Sequence, residues 1–285
     1  MVYVGDGELD QWIEEDLPYF DLTTHLLDIG HQEATMTFEA RENGIVAACT
    51  EEAARILTKC GATEVEHRPS GSVLADKEVI LSADGNAEAL HRGWKVTQNL
   101  LEYACGIATK TRRMLEAARE VNPDVMLFTT RKSAPGTRKL VIKAILTGGA
   151  YPHRLGLSES ILIFDNHVRL IGLTELLEHL QTHGYRTLEK RVVIEATDLQ
   201  TARLLASRGV QLIQLDKFDP GHLEETVRVL RAEYSNVEIL AAGGITGANI
   251  TEYAATGVDG LVSSSPYHAK PADIGVRIDR RSAGN

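Results

Sequence analysis

Val192-Val193-Ile194-Glu195, Leu212-Ile213-Gln214-Leu215-Asp216 and Glu238-Ile239-Leu240-Ala241 are short apolar runs, each followed by a polar or glycine-containing loop and then by a helical pattern. The same phrase extends outward from them. Val125-Met126-Leu127-Phe128 and Ile161-Leu162-Ile163-Phe164 precede it, Gly260-Leu261-Val262 follows it, and a further strand is expected near 148–152. Helical periodicity fills 136–147, 172–183, 199–207, 221–233 and 248–256. Strands without polar alternation are covered on both faces, so the sheet is expected to be mainly parallel. Seven such units favour an α/β barrel of the TIM type, or a slightly smaller relative, over an open sheet.

The first 120 residues read differently. Thr35-Met36-Thr37-Phe38-Glu39-Ala40, Gly44-Ile45-Val46-Ala47-Ala48 and Val79-Ile80-Leu81-Ser82 predict strands of a separate α+β unit, with a helix over Glu51 to Lys59. A long helix from Ala87 to about Glu120 joins that unit to the barrel, and its strip Leu90, Trp94, Thr97, Leu101, Ala104 has core spacing. No Pro-, Gly- or Ser-rich linker separates the halves, which predicts two docked domains.

Composition narrows the function. Lys+Arg 30 against Asp+Glu 40 gives a formal charge of -10 over 285 residues, which argues against nucleic acid as a partner. No stretch reaches the roughly 18 apolar residues needed to span a bilayer. The acidic start lacks the pattern of a secretory signal, and Cys49, Cys60 and Cys105 have no metal or redox spacing, so a cytoplasmic location with buried thiols is expected.

In a parallel barrel the reactive groups follow the strands. Those positions carry Thr129-Thr130-Arg131-Lys132, His153-Arg154, Asp165-Asn166-His167, Glu195, Asp216-Lys217, Gly243-Gly244-Ile245-Thr246 and Ser263-Ser264-Ser265. Arg131 and Arg154 offer planar forks and Lys132 a mobile charge, a set suited to an anion with several oxygens. Arg138, Lys139 and Lys143 fall on the next helix, where exposed charge is ordinary. Gly243-Gly244 could place bare N–H groups at a helix N-terminus to hold a phosphate. Glu195 and Asp216 could bind sugar hydroxyls, hold the Mg²⁺ that accompanies a diphosphate, or stabilise a ribosyl cation; either could instead cap a helix, although Asp198 is the better capper. His153 is the histidine expected in the site and His167 a structural one.

These residues resemble a known family. Thr130-Arg131-Lys132-Ser133-Ala134-Pro135-Gly136, Gly148-Gly149-Ala150-Tyr151-Pro152-His153-Arg154-Leu155-Gly156-Leu157, Asp165-Asn166-His167 and Ala242-Gly243-Gly244-Ile245 are similar to the quinolinate phosphoribosyltransferases, as are Asp21-Leu22-Thr23-Thr24 and Gly106-Ile107-Ala108-Thr109. Trp94-Lys95 and the 150–159 run look like the ModD branch, named for an association with molybdenum transport. The resemblance implies an N-terminal α/β sandwich over 1–110, with the tail 268–285, and an incomplete α/β barrel over 111–267. It also implies a homodimer with a shared active site. The family joins quinolinate to phosphoribosyl pyrophosphate with Mg²⁺, releasing diphosphate and carbon dioxide. Carried over by motif, Arg131, Lys132, His153 and Arg154 surround the dicarboxylate and phosphates, Glu195 and Asp216 the ribose and metal, and Gly243, Gly244 and Ser264 the 5′-phosphate.

Departures qualify the acceptor. Phe164 stands where the family carries a lysine before Asp-Asn-His, and Lys95 where it carries an arginine. A lost cation weakens a dianion by roughly 1.5 to 3 kcal/mol, about ten- to hundredfold, so the acceptor is expected to be quinolinate or a related heteroaromatic carboxylic acid. Two other functions share the barrel: a Schiff-base aldolase using Lys132 or Lys217, and a non-catalytic phosphoribosyl- or oxyanion-binding regulator linked to molybdenum transport.

Overall fold

A computed structural model describes residues 2–184 and 189–281. The chain divides into two compact units. The first takes Met1–Arg112, Ala134–Gly149 and Pro266–Asn285, the second Arg113–Ser133 and Ala150–Ser265. A single cut near 110 therefore places one helix differently from the structure: Leu140, Val141, Ile142, Ala144 and Ile145 bury in the same core as Phe38, Ile56 and Leu57 of the first unit. Of the predicted tail, 282–285 lie outside the described residues.

The first unit holds helices α1 (Asp6–Asp16), α2 (Leu22–Leu26), α3 (Thr50–Cys60), the start of α4 (Ala87–Val121), and α5 (Arg138–Gly148). Its strands are β1 (Glu33–Ala40), β2 (Ile45–Val46), β3 (Thr63–His67), β4 (Val73–Leu74) and β5 (Val79–Asn86). Alternation sends Ala34, Met36, Phe38 and Ala40 of β1 into the core, the expected signature of a sheet with one packed face. The α4 strip behaves as read, with Leu90, Thr97, Leu101 and Ala104 fully buried. All three cysteines are buried and free. Lys143 corrects an expectation: its side chain is 4 % exposed, and its Nζ lies 2.9 Å from Glu51 Oε2 and 2.5 Å from Glu52 Oε2, pinning α5 to α3.

The second unit has strands β6 (Met126–Thr129), β7 (Tyr151–Pro152), β8 (Ile161–Ile163), β9 (Val192–Ala196), β10 (Leu212–Asp216), β11 (Glu238–Ala242) and β12 (Gly260–Ser263). They form one seven-stranded sheet in the order β7-β6-β12-β11-β10-β9-β8, every pair parallel. Helices α6 (Asp165–Ile171), α7 (Leu173–His183), α8 (Leu199–Ser207), α9 (Pro220–Glu233) and α10 (Ile250–Ala255) lie between strands. The sheet ends at β7 and β8, so the barrel is incomplete. Outward Ile194, Ile213, Leu215, Ile239 and Leu261 share a core with Leu205, Leu223 and Leu230 of the helices. Inward Leu162, Val193, Leu212, Leu240 and Val262 form a second cluster, joined by Phe128 and Phe164. Cover on both faces is the physical reason the runs are continuous. The interior is tight at Gly260, where an added Cβ would lie 2.7 Å from Phe128 and 2.8 Å from Leu240.

A last strand, β13 (Ile274–Arg280), returns to the first unit and pairs antiparallel with β1, completing a sheet of order β13-β1-β5-β3.

Candidate active site

Because all seven barrel strands are parallel, their C-terminal ends share one edge, and this edge gathers the groups singled out above. Read across the sheet, His153-Arg154 follows β7, Arg131-Lys132 lies just past β6, and Ser264 follows β12. Gly243-Gly244 then follows β11, Asp216 closes β10, Glu195 lies on β9 and Phe164 follows β8. Cations thus stand towards one margin and carboxylates towards the other, with glycine and serine between them.

Glu195 and Asp216 are inward positions on neighbouring strands. Gln214 pairs in register with Glu195, and Asp216 follows two residues later. Gln214 donates from Nε2 to Glu195 Oε1 at 2.7 Å. Burial and the adjacent Asp216 charge nevertheless raise the Glu195 carboxyl to about 7, against smaller downward pulls from Gln214, the Asp165 backbone N–H and Lys217. Lys217 Nζ lies 3.6 Å from Asp216 Oδ2 with its side chain 81% exposed. Gln214 escaped the sequence reading because it sits inside an apolar run. The available signal was its inward spacing, two residues before Asp216.

The cations sort by burial. The Arg131 side chain is partly exposed and Lys132 exposed, and among the described residues neither side chain has a hydrogen-bond or ion-pair partner. Arg154 is 7% exposed, and its guanidinium donates to the carbonyls of Ser160 at 2.8 Å and Leu157 at 3.3 Å, so it ties down the loop between β7 and β8. His153 meets Phe128 edge to face, and burial together with neighbouring Arg154 lowers its pKa to about 4, leaving a neutral imidazole at pH 7. Lys95 belongs to the first unit, where its Nζ donates to Gln98 Oε1 and sits 4.7 Å from the Trp94 ring centroid. A Schiff-base lysine needs a desolvated amine. Lys132 and Lys217 are both exposed, which gives that chemistry no support.

Gly243 and Gly244 both have left-handed φ, 94° and 74°. A Cβ on Gly243 would stand 2.7 Å from the Lys217 backbone nitrogen, so the close approach requires glycine. The bend does not run straight into a helix as expected, since α10 begins only at Ile250. Asn249 bridges the gap, accepting from the Thr246 N–H and donating to the Gly244 carbonyl. Ser263 Oγ donates to the Ile245 carbonyl at 2.6 Å, joining the bend to the end of β12 beside Ser264. Phe164 stacks on His167, whose Nδ1 accepts from the Phe164 N–H at 3.0 Å at the start of α6. His167 is thus engaged at the start of α6, and Asp198 caps α8 through the Thr201 N–H.

Two family profiles divide the sequence between them. The N-terminal domain of quinolinate phosphoribosyl transferase matches residues 21–105, and its C-terminal domain matches 107–277. The chain belongs to the quinolinate phosphoribosyltransferase family. It is 35% identical over 282 residues to the "Putative pyrophosphorylase ModD" of Pasteurella multocida, covering 99% of this chain and 100% of that one. The ModD of Rhodobacter capsulatus, described in the same words, is 40% identical over 249 residues, 87% of this chain and 95% of its own. Among solved structures, NadC from Streptococcus pyogenes superposes with a TM-score of 0.87 at 26% identity, covering 97% of each chain. In this member of the family the Arg131-Lys132 and Glu195-Asp216 pairs lie at the strand ends, and Phe164 stands at the margin of the same edge. Among the described residues no helix is long and apolar enough to cross a membrane.

Proposed function

We propose that this protein transfers phosphoribose from phosphoribosyl pyrophosphate to the ring nitrogen of a heteroaromatic carboxylic acid, quinolinate or a relative, with release of diphosphate. The observation that carries it is the placement of Arg131-Lys132 and Glu195-Asp216 along one strand-end edge in a phosphoribosyltransferase fold. Arg131 and Lys132 are free to bind carboxylate and phosphate oxygens. The Gly243-Gly244 bend and Ser264 offer a 5′-phosphate site between cations and carboxylates. As diphosphate leaves the anomeric carbon, positive charge grows on the ribose ring, and Glu195 and Asp216 stabilise it electrostatically. No covalent nucleophile is needed. His153, neutral, contributes shape and hydrogen bonding rather than charge.

Mg²⁺ fits this arrangement. The Asp216 charge raises the proton affinity of the Glu195 carboxyl, a repulsion that a divalent cation relieves. Among the described residues no cluster of three or more Asp, Glu, His or Cys could hold a metal alone. Glu195 and Asp216 would hold Mg²⁺ together with substrate oxygens, the usual habit of this ion. When bound it neutralises charge on the leaving diphosphate. We assign the working form to a homodimer on family grounds.

Phe164 supports an acceptor with less negative charge than a dicarboxylate, because it lines the barrel interior with an apolar ring. The test is incubation with Mg²⁺, phosphoribosyl pyrophosphate and a series of heteroaromatic mono- and dicarboxylic acids, with mass spectrometry of the products. A phosphoribosylated acid, with or without loss of carbon dioxide, is expected; unchanged acids throughout would refute the proposal.

A further inference from the structure

Gln214 has no part in the reaction as described, yet it is 4% exposed and its Oε1 has no hydrogen-bond partner. Similar orphan atoms on Thr37, Trp94 and Thr97 belong to the first unit, and that of Arg154 lies on a guanidinium whose terminal nitrogen is well bonded. Gln214 differs because it faces the interior of the barrel. It pairs in register with Glu195 on one side and Leu240 on the other. Donation to Glu195 fixes the amide, with Nε2 on the carboxylate and Oε1 left as an acceptor. Leu240, its in-register neighbour, and the other apolar side chains of the inner cluster, Phe128, Leu162 and Val193, offer no donor.

Glu195, the Gln214 carbonyl and Asp216 therefore form an acceptor-rich group. A carboxylate or phosphate placed against it would be repelled, whereas an uncharged hydroxyl would satisfy it. Phosphoribosyl pyrophosphate carries such groups on its ribose. We propose that Gln214 is a substrate-contacting residue whose Oε1 accepts a hydrogen bond from a ribose hydroxyl; the inference rests on the transfer reaction proposed above. A site built to bond a hydroxyl rejects the analogue that lacks it, because the buried partner is then left unpaired.

The test is calorimetric binding of phosphoribosyl pyrophosphate with Mg²⁺, and of its 2-deoxy and 3-deoxy ribosyl analogues, to the wild-type chain and to Gln214→Met. Methionine is similar in volume and suits an apolar wall. The wild-type protein is expected to bind one deoxy analogue roughly tenfold more weakly than the parent, and the variant to bind the two alike. If the methionine variant does not fold, Gln214→Asn, which withdraws the carbonyl by one methylene, serves the same comparison. A variant that keeps full discrimination, or that changes only the KM of the heteroaromatic acid, overturns the assignment. Wild-type protein that binds no phosphoribosyl pyrophosphate overturns the transfer reaction itself, a result distinguishable without any variant.

Discussion

Asp216 follows by two residues the Gln214 that pairs with Glu195, and burial together with the Asp216 charge raises the Glu195 carboxyl to about 7. An ordinary glutamate titrates near 4.3. The folded state therefore holds this proton more tightly than the unfolded chain. The resulting stability is complete below the unfolded value and is lost as pH rises through 7. Glu195→Gln removes the titration while keeping an acceptor for Gln214. The variant is expected to be more stable than the wild type at pH 8 to 9 by about 2 kcal/mol, allowing for partial exposure, and nearly equal at pH 4. Urea midpoints across pH measure this, and the same variant should lose transfer. A stability difference independent of pH would contradict the assigned cause.

His153 should titrate far below an ordinary histidine. Its imidazole signal in NMR is expected to move with a midpoint near 4, because burial and Arg154 both disfavour the cation. Its lowered pKa supports the fold above the unfolded histidine value, near 6.5, and that support falls away as pH drops towards 4. A midpoint near 6.5 would place His153 in water.

Arg131 and Arg154 should separate cleanly. Arg131→Ala removes a partly exposed side chain that has no partner among the described residues, so the melting temperature should stay within a degree or so while transfer falls about a hundredfold. Arg154→Ala deletes a buried cation that organises the Leu157 and Ser160 carbonyls, and should cost about 2 to 4 kcal/mol of stability. Equal thermal effects would contradict the division.

Gly243→Ala sets a methyl group 2.7 Å from the Lys217 nitrogen at a φ that alanine resists. We expect a loss of about 1 to 3 kcal/mol, together with weaker phosphate binding. Calorimetry and denaturation read the two effects separately.

Much of the barrel was legible because buried parallel strands leave uninterrupted apolar runs, and β8 to β12 lie where Ile161, Val192, Leu212, Glu238 and Gly260 begin them. β3 was invisible for the opposite reason, since Thr63-Glu64-Val65-Glu66-His67 is mostly exposed and carries no apolar pattern. β13 was hidden by distance, being an edge strand whose partner β1 lies at the other end of the chain. Among the candidate site residues, position at a strand end marked Arg131, Lys132, Glu195 and Asp216. It could not say that Arg154 and Lys143 are buried, because burial of a cation depends on partners that arrive only with the fold. Gln214 shows the same limit from the other side: one amide inside an apolar run gains meaning only when register sets it beside Glu195.

The most direct measurement is diphosphate release from phosphoribosyl pyrophosphate and Mg²⁺ in the presence of quinolinate and of monocarboxylic heteroaromatic acids, for the wild-type chain and Phe164→Lys. The account predicts release by the wild type with at least one acid, and a shift towards the dicarboxylate of roughly tenfold or more in the lysine variant. No release with any acid, despite bound phosphoribosyl pyrophosphate, would contradict it.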